Sequence, residues 1–187
     1  MTEQQPYDVL RSDGRFEVRR YPAHVVAETT VSGDFESAGN RAFRYLFGYI
    51  SGQNADRRSI EMTSPVVQSA SRSIAMTAPV TQSAAGADFT VAFVLPTDFS
   101  EASAPLPTRS EVSLRTVPAR VVAALRYTGR WTAASYDKHR SELMSALAGA
   151  SLTPVGEPWF ARFDPPYTPW FLRRNEVLVQ VAEPALP

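Results

Sequence analysis

Two hydrophobic periodicities alternate along the chain, and the order in which they appear repeats. Phe16 to Arg20 alternates apolar and charged side chains and Val25 to Val31 is β-branched, so both stretches predict strand, with Pro22 at an edge or kink between them. Ser32-Gly33-Asp34 reads as a turn, with Asp34 the N-cap of the next element. From Phe35 to Ile50 the apolar positions Ala38, Ala42, Phe43, Leu46, Phe47 and Ile50 recur at helical spacing, which predicts an amphipathic helix ended by Ser51-Gly52. Further strands are expected around Thr63-Ser64-Pro65 and Thr77-Ala78-Pro79, where the prolines demand edges or bulges, and from Phe89 to Leu95. A Pro, Ser and Ala-rich segment, Pro96 to Pro107, reads as a linker. Beyond it Val112 to Tyr127 is strand-like, Thr128-Gly129 is a turn, Ala133 to Leu147 is a helix ended by Gly149, and Trp159 to Asp164 and Glu176 to Val181 are strands.

Literal repeats support this periodic order. Ile60-Glu61-Met62-Thr63-Ser64-Pro65-Val66 returns 14 positions later as Ile74-Ala75-Met76-Thr77-Ala78-Pro79-Val80, and Gln68-Ser69 as Gln82-Ser83. A longer repeat, at a constant offset of 96, relates Phe16-Glu17-Val18-Arg19, Pro22-Ala23, Val25-Val26-Ala27, Gly33 and Phe35 to Val112-Ser113-Leu114-Arg115, Pro118-Ala119, Val121-Val122-Ala123, Gly129 and Trp131. The expected fold class is α+β, a strand-helix-strand-strand unit occurring twice about a pseudo-twofold axis with a pocket between the copies. A single domain over residues 1–187 is expected, with half-repeats at about 7–98 and 108–183.

Composition removes several function classes. Nineteen basic and nineteen acidic residues cancel, so no global field draws the chain to nucleic acid or anionic membranes. With no cysteine there is no disulfide, thiolate catalysis, iron–sulfur ligation or Cys-type zinc site. The first six residues lack the apolar core of a signal peptide, and no run approaches the roughly 18 to 20 apolar residues of a membrane span, so a cytoplasmic, soluble and monomeric protein is expected.

The candidate chemistry is sparse. His24, whose repeat-mate is Arg120, reads most simply as part of a solvated strand face. His139 follows Tyr136 by three and precedes Leu143 by four, with Phe43 as its repeat-mate, so it falls on an apolar helix face where it either holds a metal or packs with one nitrogen bonded. Two isolated histidines, His24 and His139, with no carboxylate at ligand spacing do not compose a zinc or non-haem iron site. Met62 and Met76 occupy matched strand positions and suit either a soft axial ligand or the core. Glu61 becomes Ala75 in the copy, and nucleophile-elbow, phosphate-loop and zincin motifs are absent. Tyr45, Phe47 and Tyr49 on the first helix, and Trp159, Phe160, Tyr167, Trp170 and Phe171 near the C-terminus, suit either a core or the walls of a site for a flat apolar ligand, which Arg41 and Arg44 are placed to pair through its carboxylates.

These residues resemble the SOUL haem-binding protein family. The resemblance rests on Phe16-Glu17-Val18-Arg19-Arg20-Tyr21 with Pro22-Ala23, on Tyr49-Ile50-Ser51-Gly52-Gln53-Asn54, on the twin Met-Thr-x-Pro-Val motifs, and on Tyr167-Thr168-Pro169-Trp170-Phe171-Leu172-Arg173-Arg174-Asn175-Glu176-Val177. It implies a distorted antiparallel β-barrel flanked by two helices, and a likeness to effector-binding domains of bacterial multidrug-responsive regulators. It also implies non-covalent haem or tetrapyrrole binding, as a reversible carrier or buffer and not an enzyme, on an apolar surface of the first helix comprising Arg41, Phe43, Arg44, Tyr45 and Phe47. Arg20 stands where some members carry an iron-ligating histidine, which leaves packing and propionate salt bridges, His139 or a tyrosine to hold haem, and His24 as a weak substitute. The alternatives are a cleft between the halves that takes an apolar or cationic effector through a buried acid, or a small hydrolase using that cleft.

Overall fold

The computed structural model describes residues 3–70, 87–164 and 167–182. Its strands are β1 (Glu3–Gln4), β2 (Asp8–Ser12), β3 (Glu17–Tyr21), β4 (His24–Gly33), β5 (Thr63–Ala70), β6 (Ala87–Val94), β7 (Ser113–Val117), β8 (Arg120–Thr128), β9 (Pro154–Arg162) and β10 (Arg174–Val181). Helix α1 spans Phe35–Ile50, α2 spans Ala133–Gly149, and a 3-10 turn covers Trp170–Leu172. The second Met-Thr-x-Pro copy, with Met76 and Pro79, lies outside the described residues.

One antiparallel path runs β2-β3-β8-β10-β9-β5-β6-β4-β7, with β1 added in parallel to β5. The distorted barrel is thus a curled sheet that stays open, since no pairing joins β2 to β7 among the described residues. Leaving out β2, the eight strands from β3 to β7 along this path are palindromic under the repeat, with the β5–β9 pair at their centre. Each repeat opens with two strands before its helix, which refines the strand-helix-strand-strand unit expected from sequence.

The first strand of each repeat pairs in the other repeat. β3 lies against β8, with Tyr21 opposite Arg120, and β7 lies against β4, with Val117 opposite His24; the two registers coincide under the offset of 96. Only Pro22-Ala23 separates β3 from β4, and only Pro118-Ala119 separates β7 from β8. A two-residue hairpin needs positive φ at its first turn residue, which proline's ring forbids, so the chain cannot fold back on itself there. The exchanged strands are tied to their hosts by matched arginines. Arg19 on β3 meets Glu176 on β10 at 2.6 and 3.1 Å, and its repeat-mate Arg115 on β7 meets Glu28 on β4 at 2.8 to 3.1 Å.

Both helices cover one face of the sheet. α1 is capped by Asp34, whose carboxylate accepts the Glu36 and Ser37 amides at 3.1 and 2.8 Å, and it buries Ala38, Ala42, Leu46, Tyr49 and Ile50 against Ala27, Val91 and Phe93. α2 is capped by Thr132 and packs Leu143, Ala146 and Leu147 on Ala123, Leu125, Val177 and Val179. The caps are 98 positions apart (132 − 34), because two extra residues follow Gly129. The repeat-mate of His139 in the fold is therefore Arg41, and Trp131 falls before the helix instead of starting it. α2 also runs two residues past the expected Leu147. Pro65 sits where expected, inside a register shift between Thr63 and Val66.

Glu176 is fully buried, and besides Arg19 it accepts from Arg174 at 2.7 and 3.1 Å. Burial alone would lower the Arg19 pKa, but the Glu176 carboxylate holds it above the ordinary arginine value. Removing one partner strands the other's charge. E176Q is expected to cost about 3 to 5 kcal/mol in urea unfolding, while the apolar double variant R19M/E176L recovers much of that loss.

Candidate functional site

A cavity of about 330 Å³ opens on the helix-covered face, lined by Gly39, Asn40 and Phe43 of α1, Met62, Ser64 and Val66 at the start of β5, and Trp131, Arg162, Phe163, Asp164 and Tyr167 from the second repeat. The helix contributes through positions 39, 40 and 43, one stripe at helical spacing. Phe43 stacks on Phe47 at 5.4 Å and meets Phe93 edge-on at 5.4 Å. Phe47 extends this wall outward and is 47% exposed. Met62 joins the wall, so the first twin motif is part of the site.

Arg162 lies at the floor. It is only 8% exposed, its Nη2 donates to the Gln68 amide oxygen at 2.9 Å, and its Nε is buried without a partner. Its guanidinium lies 4.8 Å from the Trp131 ring and 5.3 Å from that of Phe160. Gly39 makes the approach feasible, because a Cβ there would stand 2.5 Å from Arg162 Nη1. Burial pulls the Arg162 pKa down to about 10, with Tyr127 opposing and Arg173 adding to the fall. The side chain stays charged at neutral pH. Asp164, the carboxylate on the lining, accepts the Arg174 backbone N–H and makes no ion pair with Arg162. The floor is thus a cation with no ion pair among the described residues, beneath walls that are largely apolar.

The Arg-Arg-Asn-Glu run braces the site from both faces of β10. Arg173 places its guanidinium 4.3 Å from Trp131, and Asn175 accepts from Trp131 Nε1 at 2.8 Å while donating to the Gly129 carbonyl at 3.1 Å. Arg174 and Glu176 point to the opposite face, where Arg174 covers Phe163 at 4.0 Å.

Of the residues expected on the first helix, Phe43 and Phe47 come together here. Arg41 is turned away and donates to the Ser32 carbonyl at the end of β4. Arg44 is exposed one turn along from Asn40, and Tyr45 packs against the α1 core with Arg109 5.8 Å from its ring. His139 belongs to a different place. Its ring stacks on Tyr127 at 3.7 Å and its Nδ1 donates to the Ser135 carbonyl at 2.7 Å, beside an open depression of about 590 Å³ whose lining includes Arg15, Arg126 and Glu142. Among the described residues no three His, Asp or Glu side chains cluster as a metal site. Sequence reading missed Arg162, Gly39 and Trp131; the departure of Trp131 from the helix frame was the signal available.

On the other face, between the repeats, the curled sheet encloses a second cavity of about 50 Å³. His24 and Arg120 both line it, which corrects the reading of a solvated strand face: mates in a twofold arrangement converge on the axis. His24 Nδ1 donates to the Pro22 carbonyl at 2.9 Å, and Arg120 lies 4.2 Å from the Trp159 ring. The lining contains no carboxylate.

The family model described as SOUL heme-binding protein matches residues 2–180. The chain is 27% identical over 163 residues to Heme-binding protein 1 of Xenopus tropicalis, covering 87% of this chain and 81% of that protein. It is 28% identical to Heme-binding protein 2 of Mus musculus over 108 residues, 57% of this chain and 49% of the relative. Among solved structures, the EcmrR C-terminal domain superposes with a TM-score of 0.66 at 10% identity, covering 95% of this chain and 98% of that one. A hydrolase from Listeria innocua gives 0.64 at 10% identity, covering 92% and 94%. These two likenesses show the fold. No helix among the described residues is long and apolar enough to cross a membrane.

Burial, with Arg120 and Arg115 adding, lowers the His24 pKa below its ordinary value, against the Pro22 carbonyl that raises it. The folded state therefore resists protonation, and its stability falls as pH drops below about 6.5, where the unfolded chain takes up the proton. Urea unfolding at pH 7.5 and 5.5 should show a larger loss for wild type than for H24Q; equal losses would mean that His24 titrates as it does in water.

Proposed function

Since the chain belongs to the SOUL heme-binding protein family, we propose that it binds haem or a related tetrapyrrole reversibly in the helix-side cavity, as a carrier or buffer. The observation that carries this reading is Arg162, a buried cation with no ion pair among the described residues, beneath walls made by Phe43, Met62 and Trp131, with Phe47 stacked on Phe43 beyond them. A flat apolar ring bearing an acid group complements both features. The ring displaces water from the aromatic walls, and the acid supplies the charge that Arg162 lacks. A porphyrin exceeds 330 Å³, so part of it stays at the mouth, against Phe47 and Tyr167. Burying about 300 Å² at about 25 cal/mol per Å² gives about 7 to 8 kcal/mol of gross stabilisation, and the charge-assisted bonds to Arg162 must add to it for net affinity to reach roughly micromolar, about 8 kcal/mol, once the cost of association is met.

One observation favours a second placement. With Nδ1 committed to Ser135, His139 presents Nε2 to the depression beside α2, the arrangement of an oriented imidazole ligand. Against it, the depression is wide and open, and Arg126, Ser141, Glu142 and Ser145 set charged and hydroxyl groups along it. The inner cavity supports neither alternative from sequence. It offers cations where a cationic effector needs an acid, and Tyr21, its one phenol, is pushed up to about 12 by burial and stays protonated.

Haemin titration of ligand-free protein, followed by Soret absorption, separates the placements. Wild type and H139A are expected to saturate alike at one equivalent. R162Q should bind about tenfold more weakly, and F43S/F47S should lose the saturable band. Loss of the band in H139A alone would move the site to α2.

A further inference from the structure

The inner cavity has a chemistry that tetrapyrrole binding does not use. Its walls are apolar, with Val26, Val67, Ala92, Val94, Val117 and Leu178 among them. Two residues of this lining carry a nitrogen donor that is buried without a partner among the described residues, Arg120 at Nε and Gln5, itself 8% exposed, at Nε2. Arg115, the other arginine on the lining, is neutralised by Glu28, so the unbalanced charge belongs to Arg120. Arg120 is half-buried, and its described neighbours are the Trp159 ring face at 4.2 Å and the Tyr21 phenol, neither of which carries a negative charge at neutral pH. Burial pulls its pKa down to about 10, with Arg115 adding to the fall, and it remains a cation at neutral pH.

A charge in such a place costs free energy unless something pairs with it, and an unpaired buried amide adds to that cost. Water can answer the amide but not the charge. A volume of about 50 Å³ is too small for a drug-sized ligand and exceeds the space one water needs. The occupant that satisfies both donors is small and negative, and the apolar walls favour one that sheds its hydration readily, as the weakly hydrated guanidinium does. We propose that the cavity inside the sheet binds a small, weakly hydrated monovalent anion, a halide or nitrate-sized oxyanion, between the Arg120 guanidinium and the Gln5 amide. Because Gln5 is placed by β1, whose backbone pairs with β5, the anion would also fasten the N-terminal strand to the centre of the sheet.

Bromide is the probe, added as its sodium salt to wild type at constant ionic strength balanced with fluoride. The Nε–H of Arg120 and the side-chain amide of Gln5 are followed by ¹H–¹⁵N spectroscopy. Both signals should shift saturably with one midpoint below about 50 mM, while the Arg162 Nε–H stays still. R120Q should raise the Gln5 midpoint at least about tenfold with the backbone spectrum preserved. Shifts that rise linearly in wild type, or a Gln5 midpoint unchanged in R120Q, would mean that the cavity holds only water and would overturn the proposal. If R120Q fails to fold, the wild-type titration decides alone.

Discussion

Two prolines decide how this chain closes. Pro22 and Pro118 stand where a two-residue turn would fold each repeat's first strand back on its second, and a ring that fixes φ near −65° cannot make that turn. Each leading strand is sent to the neighbouring repeat instead, so neither repeat completes its sheet without the other. The matched arginines, Arg19 with Glu176 and Arg115 with Glu28, convert that exchange into specific cross-repeat bonds. The first pair is sealed from water and the second half-exposed, so the exchange at β3 has the larger electrostatic consequence when disturbed.

Closing the sheet this way creates two spaces of different character. Both helices lie on one face, and the seam between them, where β5 meets β9, is covered only in part. That gap is the aromatic cavity, and Arg162 reaches into it because β9 ends there and Gly39 gives the guanidinium room. On the opposite face the repeats converge on their axis, and symmetry-matched positions fill it with His24 and Arg120. Each space holds an arginine, buried at 162 and half-buried at 120, with no carboxylate paired to it among the described residues. Arg19, Arg115 and Arg174 are paired with acids, whereas Arg162 and Arg120 each carry a buried Nε–H with no described partner, and a ligand's charge would be useful there.

Much of the fold was legible because it is periodic. The amphipathic run from Phe35 to Ile50 and the Asp34 cap located α1 to the residue, and the offset of 96 announced the twofold arrangement. The site was less legible. Phe43 and Phe47 declare themselves by helical spacing, but Arg41, equally plausible on the sequence, is taken up by the Ser32 carbonyl. Arg162 lies in a strand whose neighbours give no hint of a missing counter-ion, since that depends on what Gln68, Gly39 and Trp131 bring across the seam. β2 went unread because all five of its residues are exposed and show no apolar alternation. The comparison of His139 with Phe43 failed for a local reason: two residues inserted after Gly129 shift α2 against the repeat.

The most direct measurement is a ¹H–¹⁵N map of the protein with substoichiometric haemin, whose paramagnetic iron broadens nearby resonances. Selective loss of Gly39, Phe43, the Trp131 indole and the Arg162 Nε–H, with Ala92, Leu178 and the α2 signals around His139 intact, is the expected result. Broadening centred on His139 and Tyr127, or on the inner face of the sheet, would contradict a ligand site at the helix-side seam.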